Sequence, residues 1–294
     1  MKSVIIEPLV STNLRGIALA IVAGMFLTSN DAVSKWLVAD YPPGQILFVT
    51  STAVALFIWL FMRRKKEWGI GVLKRRSHML RGVLFAISAF AFITALEYLP
   101  LADAMCIAFA APLFVTILGR FVLKEQVGVY RATAVILGFI GVIVMIQPGA
   151  DSFRWIYLLP LVVALSDASR DVLTRRMTRS ESSVSMVFST AIVIAVVSLF
   201  TMISGWQAIG VGDLWLFSLK AMLMLFAYFL LIEAYRYAPT VVIAPFRYIQ
   251  IIWGIVVGLF VWQHVPSLNI IIGILITMGS GVFIAVREVR LNSK

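Results

Sequence analysis

A cation, an amide and an indole ring follow one another at three-residue intervals in one apolar segment, and together they suit the binding of a small solute. Arg247 is followed by Gln250 and Trp253, and residues at such intervals are neighbours on a helix surface. A guanidinium binds a carboxylate or a phosphate through two parallel hydrogen bonds, and an indole stacks on a flat group. The pattern predicts a substrate site. A structural ion pair from Arg247 to Glu233 or Glu97 is the alternative.

Three side chains at the ends of neighbouring apolar segments are further candidates for the substrate site. Tyr98 and Tyr248 each offer a ring and a hydroxyl, and Glu97 offers a carboxylate. Ionisable groups within apolar segments are costly, so they are functional candidates by default. Anchoring at a membrane interface is the alternative for the tyrosines, and a wet helix end is the alternative for Glu97.

Two similar charge pairs predict gates at opposite ends of the molecule. Asp31 precedes Lys35 by four residues, and Asp171 precedes Arg175 by four residues. Side chains at this spacing meet on a helix surface. Two pairs that break in turn would open the two ends alternately. A structural role is the alternative, because exposed pairs at helix ends contribute little to stability.

Asp167 and Arg170 lie in the same segment as Asp171 and share the prediction of a gating or coupling role. Asp167 stands four residues before Asp171, with Arg170 between them. Burial makes a carboxylate hold its proton more tightly. Asp167 is therefore a candidate for binding a proton that drives transport.

Membrane-spanning helices are the elements predicted to position these residues. Hydrophobic residues make up 61% of the 294-residue chain and charged residues 13%, whereas a soluble domain is about one quarter charged. A helix crosses a bilayer with roughly 20 apolar residues, and long apolar runs separated by charge, Gly and Pro fill this chain. The predicted fold is all-α with ten spans, at 14–36, 45–62, 81–98, 102–121, 130–147, 154–175, 184–204, 214–235, 240–262 and 268–286.

Lys and Arg residues concentrate in the loops on one side of these spans. With a cytoplasmic N-terminus, all but four of the 25 basic residues face the cytoplasm, the exceptions being Lys35, Arg154, Lys220 and Arg247. Cytoplasmic loops of membrane proteins are enriched in Lys and Arg. We therefore expect a multi-pass protein of a bacterial-type inner membrane with both termini in the cytoplasm. The net charge of +11 then needs no nucleic-acid partner.

The two halves of the chain are similar to each other. Residues 30–35 align with residues 170–175 at an offset of 140, and residues 98–100 align with residues 237–239 at an offset of 139. Ten spans divide into five per half, and an odd number places the second half upside down relative to the first. Inverted repeats are typical of transporters, in which two halves rock about a central site.

Matching runs join the third span to the fourth in the first half and the eighth to the ninth in the second. These runs, 95–104 and 237–246, together with the Gln-Pro-Gly sequence at 147–149, resemble the EamA family of the drug/metabolite transporter superfamily. The resemblance extends over essentially the whole chain. It implies one five-helix unit in residues 1–149 and a second in residues 150–294. It also implies transport of a small organic metabolite through a cavity lined mainly by helices 1, 3, 4, 6, 8 and 9.

The predicted function is that of a secondary transporter that moves a small organic metabolite by alternating access. An amino-acid-like, a nucleoside- or vitamin-like and an anionic substrate all fit, and proton coupling and the choice between monomer and homodimer are left open. A membrane-embedded enzyme acting on a lipid-linked substrate is the alternative. No enzymatic activity is expected, because neither histidine, His78 or His264, is predicted in the middle of a span. With Cys106 as the sole cysteine and no H-E-x-x-H sequence, no metal site and no cofactor are expected.

Overall fold

Helices make up the regular structure of this protein. A computed structural model describes residues 3–64, 75–123, 129–147, 154–238, 243 and 246–292. No residue in these ranges belongs to a β-strand. The predicted all-α class is confirmed for this part of the chain.

The helices of the described ranges match the predicted spans. The first half contains α1 Ser3–Leu37, α2 Pro43–Arg64, α3 Arg76–Tyr98, α4 Leu101–Ala108, α5 Ala111–Leu123 and α6 Val129–Ile146. The second half contains α7 Leu158–Met177, α8 Ser183–Leu199, α9 Leu214–Tyr237, α10 Ile249–Trp262 and α11 Leu268–Asn292. Each of the ten predicted spans overlaps a helix, and the span predicted at 102–121 is divided into α4 and α5.

Five of these helices are long and apolar enough to cross a bilayer. The qualifying segments are Leu14–Leu37, Pro43–Phe61, Arg76–Tyr98, Ser183–Ile203 and Val211–Tyr237. Shorter apolar helices are Leu101–Val115, Ala132–Ile146, Ile249–Trp262 and Leu268–Phe283. The chain is therefore a multi-pass membrane protein, whereas its ten crossings and the position of its termini remain predictions.

Large apolar side chains cover the outside of the bundle. Ile136 on α6 is 60% exposed, and Phe260 on α10 is 80% exposed. Exposed apolar surface of this extent is typical of a protein that contacts membrane lipid. The helices are thus apolar towards lipid as well as towards the core, which is why their sequences lack a strongly polar face.

Contacts between the two halves dominate the packing of the bundle. The most extensive helix pairs are α1 with α9, α3 with α7, α2 with α8 and α6 with α11. Each of these pairs joins a helix of the first half to a helix of the second. The space between the halves is therefore enclosed by helices of both.

A break between α4 and α5 brings backbone ends to this space. Pro112 has no N–H, so it cannot continue the helical hydrogen bond to the carbonyl four residues earlier. The chain turns at Phe109 and Ala110, where the Ala110 N–H donates to the Ile107 carbonyl at 3.0 Å. Irregular backbone at membrane depth is tolerated where it is buried in protein or lines a cavity.

Glycines allow α6 and α11 to approach closely. A Cβ atom built on Gly141 would lie 2.6 Å from the carbonyl oxygen of Gly273, and one on Gly273 would lie 2.6 Å from the carbonyl oxygen of Gly141. The Thr277 hydroxyl also donates to the Gly138 carbonyl at 3.2 Å. Small residues are typical of helix interfaces in membranes because they let backbones meet.

We expect Gly141→Val to destabilise the protein by about 1–3 kcal/mol, because the added side chain would collide with the α11 backbone. The measurement is the thermal unfolding of the purified protein in detergent. Gly279→Val on α11 is the matched control, since a Cβ at Gly279 meets nothing within 4 Å. Equal melting temperatures for the two variants would contradict the close approach of α6 and α11.

Candidate functional site

A charged cavity of about 170 Å³ lies between the two halves of the bundle. A single water needs roughly 10–15 Å³ of such volume, so the space suits a small solute. Its wall comes from α1, α3, α4, α5, α7, α9, the segment that leads into α10 and the first turn of α10, with one residue each from α2 and α11. The charged residues of the wall are Asp31, Asp167, Arg170, Asp171, Lys220 and Arg247.

Asp171 on α7 is the centre of the largest group of contacts in the wall. Arg247 Nη1 lies 2.6 Å from Asp171 Oδ2, and the Tyr235 hydroxyl donates to the same oxygen at 3.0 Å. Arg170 Nη2 lies 3.5 Å from Asp171 Oδ1. Three donors from α7, α9 and the segment before α10 therefore neutralise one buried carboxylate.

Arg170 links this group to a second carboxylate and to two aromatic rings. Its Nη1 lies 3.1 Å from Asp167 Oδ1, which also accepts a hydrogen bond from the Ser88 hydroxyl at 2.7 Å. The guanidinium carbon lies 4.9 Å from the ring centroid of Phe85 and 5.7 Å from that of Tyr228. Cations at such distances from a ring face are stabilised by its electrons.

Lys220 on α9 belongs to the cavity wall, although its sequence position predicts the outer side of the membrane. Its ammonium donates to Asn30 Oδ1 at 3.0 Å and to Ser34 Oγ at 2.5 Å, and the residue is 3% exposed. Lys220 stands six residues after Leu214, the first residue of α9. That depth in an apolar helix is the signal that would have identified it.

Arg81 on α3 is a second buried cation that the sequence interpretation treated only as an orientation signal. Its Nε donates to Thr174 Oγ1 at 2.9 Å, and its Nη1 donates to the Met186 carbonyl at 3.0 Å and to Thr190 Oγ1. The offset of 139 aligns Arg81 with Lys220. Comparison of the two halves would therefore have singled out both cations.

The predicted pairs of Asp31 with Lys35 and of Asp171 with Arg175 are wrong. Lys35 donates instead to the carbonyls of Leu96 and Leu99, the latter at 3.0 Å. The last carbonyls of a helix lack partners within it and attract cations, and α3 ends here. Arg175 points outward, and Asp171 pairs with Arg247 across helices.

Arg247 has neither of the structural partners expected from the sequence. Asp171 takes the place of Glu233 and Glu97, and the Glu233 carboxylate lies 3.4 Å from Arg236 Nε. The Arg247 Nε atom is buried without a hydrogen-bond partner among the described residues. One donor of this guanidinium thus remains for a further ligand.

The wall includes six of the ten predicted site residues. These are Arg247, Gln250, Asp31, Asp167, Arg170 and Asp171. The amide nitrogen of Gln250 is buried and has no hydrogen-bond partner within the described chain. It is therefore a second buried donor without a partner, and it lies against Gly24 of α1.

The other four predicted site residues lie outside the lining of this cavity. Trp253 is six residues beyond Arg247, and two steps of three residues rotate a helix by about 120° away from the starting face. Tyr248 is buried, with its ring 5.8 Å from that of Phe109. Glu97 and Tyr98 end α3 and are exposed, Tyr98 by 48%.

Polar contacts join the halves at one end of the bundle, here named the Tyr41 end. The Tyr41 hydroxyl donates to Asp213 Oδ2 at 2.6 Å and accepts from the Gly210 N–H at 3.1 Å. The hydrogen bond to Asp213 raises the pKa of the Tyr41 phenol above its ordinary value. Gln45 Nε2 donates to the Gln207 carbonyl at 2.6 Å, and the Gln207 N–H donates to Gln45 Oε1 at 2.9 Å.

A similar set of contacts lies at the opposite end, here named the Glu181 end. Arg75 at the start of α3 forms an ion pair with Glu181. Arg236 near the end of α9 donates to the Glu181 carbonyl at 3.0 Å and to the Thr178 carbonyl at 2.9 Å. Both ends of the space between the halves are thus bridged by polar side chains.

A bundle of apolar helices from two halves, enclosing a charged cavity at membrane depth, defines a membrane transporter rather than a scaffold. Within the described ranges no group of His, Cys, Asp or Glu residues is placed to hold a metal ion. Residues 14–147 match the EamA-like transporter family. Relatives named as transporters align with nearly the full length of the chain, so the chain is similar to transporters in both of its halves.

Two relatives and one solved structure show the extent of this similarity. The chain is 26% identical over 282 residues to the S-adenosylmethionine uptake transporter of Rickettsia prowazekii (strain Madrid E), covering 96% of each. It is 26% identical over 306 residues to the riboflavin transporter of Rhizobium johnstonii, covering 99% of this chain and 97% of the relative. A protein of known crystal structure shares the fold with a TM-score of 0.64 and 18% identity, over 97% of this chain and 99% of that one.

A double-mutant cycle tests the ion pair of Arg247 and Asp171. We expect Arg247→Gln and Asp171→Asn each to destabilise the protein by about 3 kcal/mol, because either change leaves an uncompensated buried charge. The double variant removes both charges and should cost clearly less than the sum. The measurement is the free energy of unfolding in detergent, with exposed Arg175→Gln on α7 as the control. Costs that simply add would show that the two residues are not coupled.

Proposed function

We propose that this protein is a secondary transporter for a small metabolite that carries both charges and a flat ring, with S-adenosylmethionine as the first candidate. The observation that carries the proposal is the composition of the cavity wall. Three carboxylates and three cations stand in it beside aromatic rings. The following arguments concern the charge of the substrate, its shape and its path.

The balance of charge in the wall favours a substrate with both signs of charge. Asp31, Asp167 and Asp171 match Arg170, Lys220 and Arg247 in number. An organic anion would be attracted by the three cations of the wall and repelled by its three carboxylates. A zwitterion can engage both sets at once, with its carboxylate at the free donors of Arg247 and Gln250.

The aromatic residues favour a substrate with a flat group. Phe92 and Phe109 line the same cavity, as do Phe85 and Tyr228. Aromatic rings pack on flat groups in offset or edge-to-face arrangements and contribute beyond their buried area. Arg170 already occupies the neighbourhood of Phe85 and Tyr228, which leaves Phe92 and Phe109 for the substrate.

The names of the relatives agree with both inferences. S-adenosylmethionine combines an amino-acid group with an adenine ring, and riboflavin has a large flat ring system. The two relatives described above, which are named for these compounds, align with 96% and 99% of this chain. The charge balance of the wall favours the first compound, and riboflavin is the second candidate.

Symmetric contacts support alternating access by two inverted repeats, 1–149 and 150–294. Exchanging the halves carries the pair of α1 with α9 onto the pair of α7 with α3, and both pairs are extensive. It also carries the bond from Lys220 to Ser34 onto the bond from Arg81 to Thr174. Related contacts on both sides of a central cavity are what rocking between two similar states requires.

The same exchange relates the polar contacts at the Tyr41 end to those at the Glu181 end, and each set closes its own end of the bundle. An offset of 140 aligns Tyr41 with Glu181, and each anchors the closure at its own end. In the proposed cycle one closure opens while the other holds. Proton coupling through Asp167 remains a prediction.

Purified protein in proteoliposomes should take up radiolabelled S-adenosylmethionine, and excess unlabelled compound should suppress the signal. We expect Arg247→Gln to reduce uptake at least tenfold, since the carboxylate loses its guanidinium partner. Arg175→Gln, which changes an exposed cation outside the cavity, should leave it unchanged. Recovery of chemically unaltered label distinguishes a carrier from an enzyme.

Other outcomes of the uptake assay separate the candidates. Uptake of riboflavin without uptake of S-adenosylmethionine would replace the first candidate by the second. Conversion of solute without its crossing would establish the membrane-embedded enzyme. Absence of both crossing and conversion for either compound would refute the proposed substrate class.

Both termini are expected on the cytoplasmic side, because ten crossings return the chain to the side on which it began. In a Cys106→Ala background, Ser3→Cys and Ser293→Cys each introduce one reporter cysteine. An impermeant maleimide should label neither in intact spheroplasts and both after lysis. Labelling of one terminus alone in intact spheroplasts would overturn the ten-span topology.

A further inference from the structure

Asp31 on α1 is the carboxylate of the cavity wall that has no direct partner, although the Lys220 ammonium interacts with it electrostatically at longer range. No hydrogen bond or ion pair joins its side chain to another group within the described part of the chain. Asp167 is held by Arg170 and Ser88, and Asp171 by Arg247, Arg170 and Tyr235. A carboxylate at membrane depth is costly, so one that is kept without a partner is available to a ligand.

The repeat explains why Asp31 lacks the cation that its counterpart has. Asp31 aligns with Asp171 at an offset of 140, and Arg247, which pairs with Asp171, aligns with Ala108 at an offset of 139. Ala108 also lines the cavity. The first half therefore has the acidic member of the pair and a methyl group where the second half has a guanidinium.

The remaining partners of Asp171 are also missing from the first half. Arg170 aligns with Asn30, and Tyr235 aligns with Leu96. Asn30 does not bind Asp31, because its carbonyl oxygen accepts from Lys220 and its amide donates to the Lys220 carbonyl at 3.0 Å. The groups that form hydrogen bonds or ion pairs with Asp171 are thus replaced in the first half, whereas the longer-range interaction of Asp171 with Arg81 has a counterpart in that of Asp31 with Lys220.

Among the cations of the cavity wall, Lys220 has the role most similar to that of Arg247, but its hydrogen bonds go to groups other than Asp31. Its ammonium donates to Asn30 and Ser34, which lie on the same face of α1 as Asp31. No nitrogen of Lys220 lies within 4.0 Å of the Asp31 carboxylate in the described structure. Lys220 therefore fixes the turn of α1 that presents Asp31 to the cavity. Lys220 forms no direct ion pair with the Asp31 carboxylate.

We propose that Asp31 binds the cationic group of the substrate. This group would stand to Asp31 as the Arg247 guanidinium stands to Asp171. The inference rests on the proposed function and adds a specificity-determining residue to it. Arg247 and Gln250 receive the anionic group, and Asp31 on the facing half receives the positive one. The sulfonium group of the substrate thus supplies the missing half of a symmetric pair of ion contacts.

Paired probes that differ in one charge test this assignment. S-adenosylmethionine carries a sulfonium that S-adenosylhomocysteine replaces with a neutral thioether, while the amino-acid group and the adenine ring are the same. We expect wild-type protein to bind S-adenosylmethionine at least tenfold more tightly. Asp31→Asn should reduce this preference to about one, because the carboxylate is lost. Binding of S-adenosylhomocysteine within about twofold of wild type would show that Asp31→Asn is folded.

Three further variants sharpen the test. Asp40→Asn removes an exposed carboxylate just beyond α1 and should keep the wild-type preference. Ala108→Arg supplies the missing guanidinium and should abolish the preference, whereas Ala108→Gln, of similar length without charge, should retain it. If Ala108→Arg loses the preference for S-adenosylmethionine and Ala108→Gln keeps it, the introduced guanidinium competes with the substrate for Asp31.

The possible failures are distinguishable from each other. A wild-type protein that binds both probes equally, or an Asp31→Asn variant that keeps the preference, overturns the role of Asp31 and leaves the proposed transporter intact. A wild-type protein that binds neither probe overturns the proposed substrate and the role of Asp31 together. Equilibrium binding of labelled probe to full-length protein in detergent gives each of these results directly.

Discussion

The cost of placing charge among apolar helices governs the arrangement of this protein. An ion in the hydrocarbon region costs roughly 2.5–3.5 kcal/mol on insertion scales, and partners from other helices offset that cost. Asp171 meets this demand with donors from α7, α9 and the segment before α10. These contacts hold several helices in one arrangement around the cavity. The charged residues of the site therefore also stabilise the packing of the bundle.

Helix positions were predictable from the sequence, whereas ion partners were not. Apolar runs of sufficient length identify spans, and all ten overlap helices of the structure. Lys35 was paired with Asp31 by spacing within α1, but the carbonyls at the end of α3 compete for the same ammonium. Spacing along one helix describes neighbours on that helix only, and these cations bind groups on other helices.

Arg247 and Trp253 show that spacing along one helix also has limited value for predicting which side chains share a face. Arg247 was recognised because a cation in an apolar run is rare, and it lies in the cavity wall. Spacing also predicts Trp253 on this face, but the rotation accumulated over two steps of three residues takes it off the face. Arg81 and Lys220 lie near span ends, where basic residues usually report orientation, and only comparison of the halves reveals their equivalence.

The glycine contact between α6 and α11 has a consequence for motion. These helices come from different halves, and their backbones meet at Gly141 and Gly273 without intervening side chains. In the proposed transport cycle, such a close junction would serve as the fulcrum about which the two halves turn. The proposed movement would then be greatest at the Tyr41 and Glu181 ends, whose polar contacts involve neither α6 nor α11.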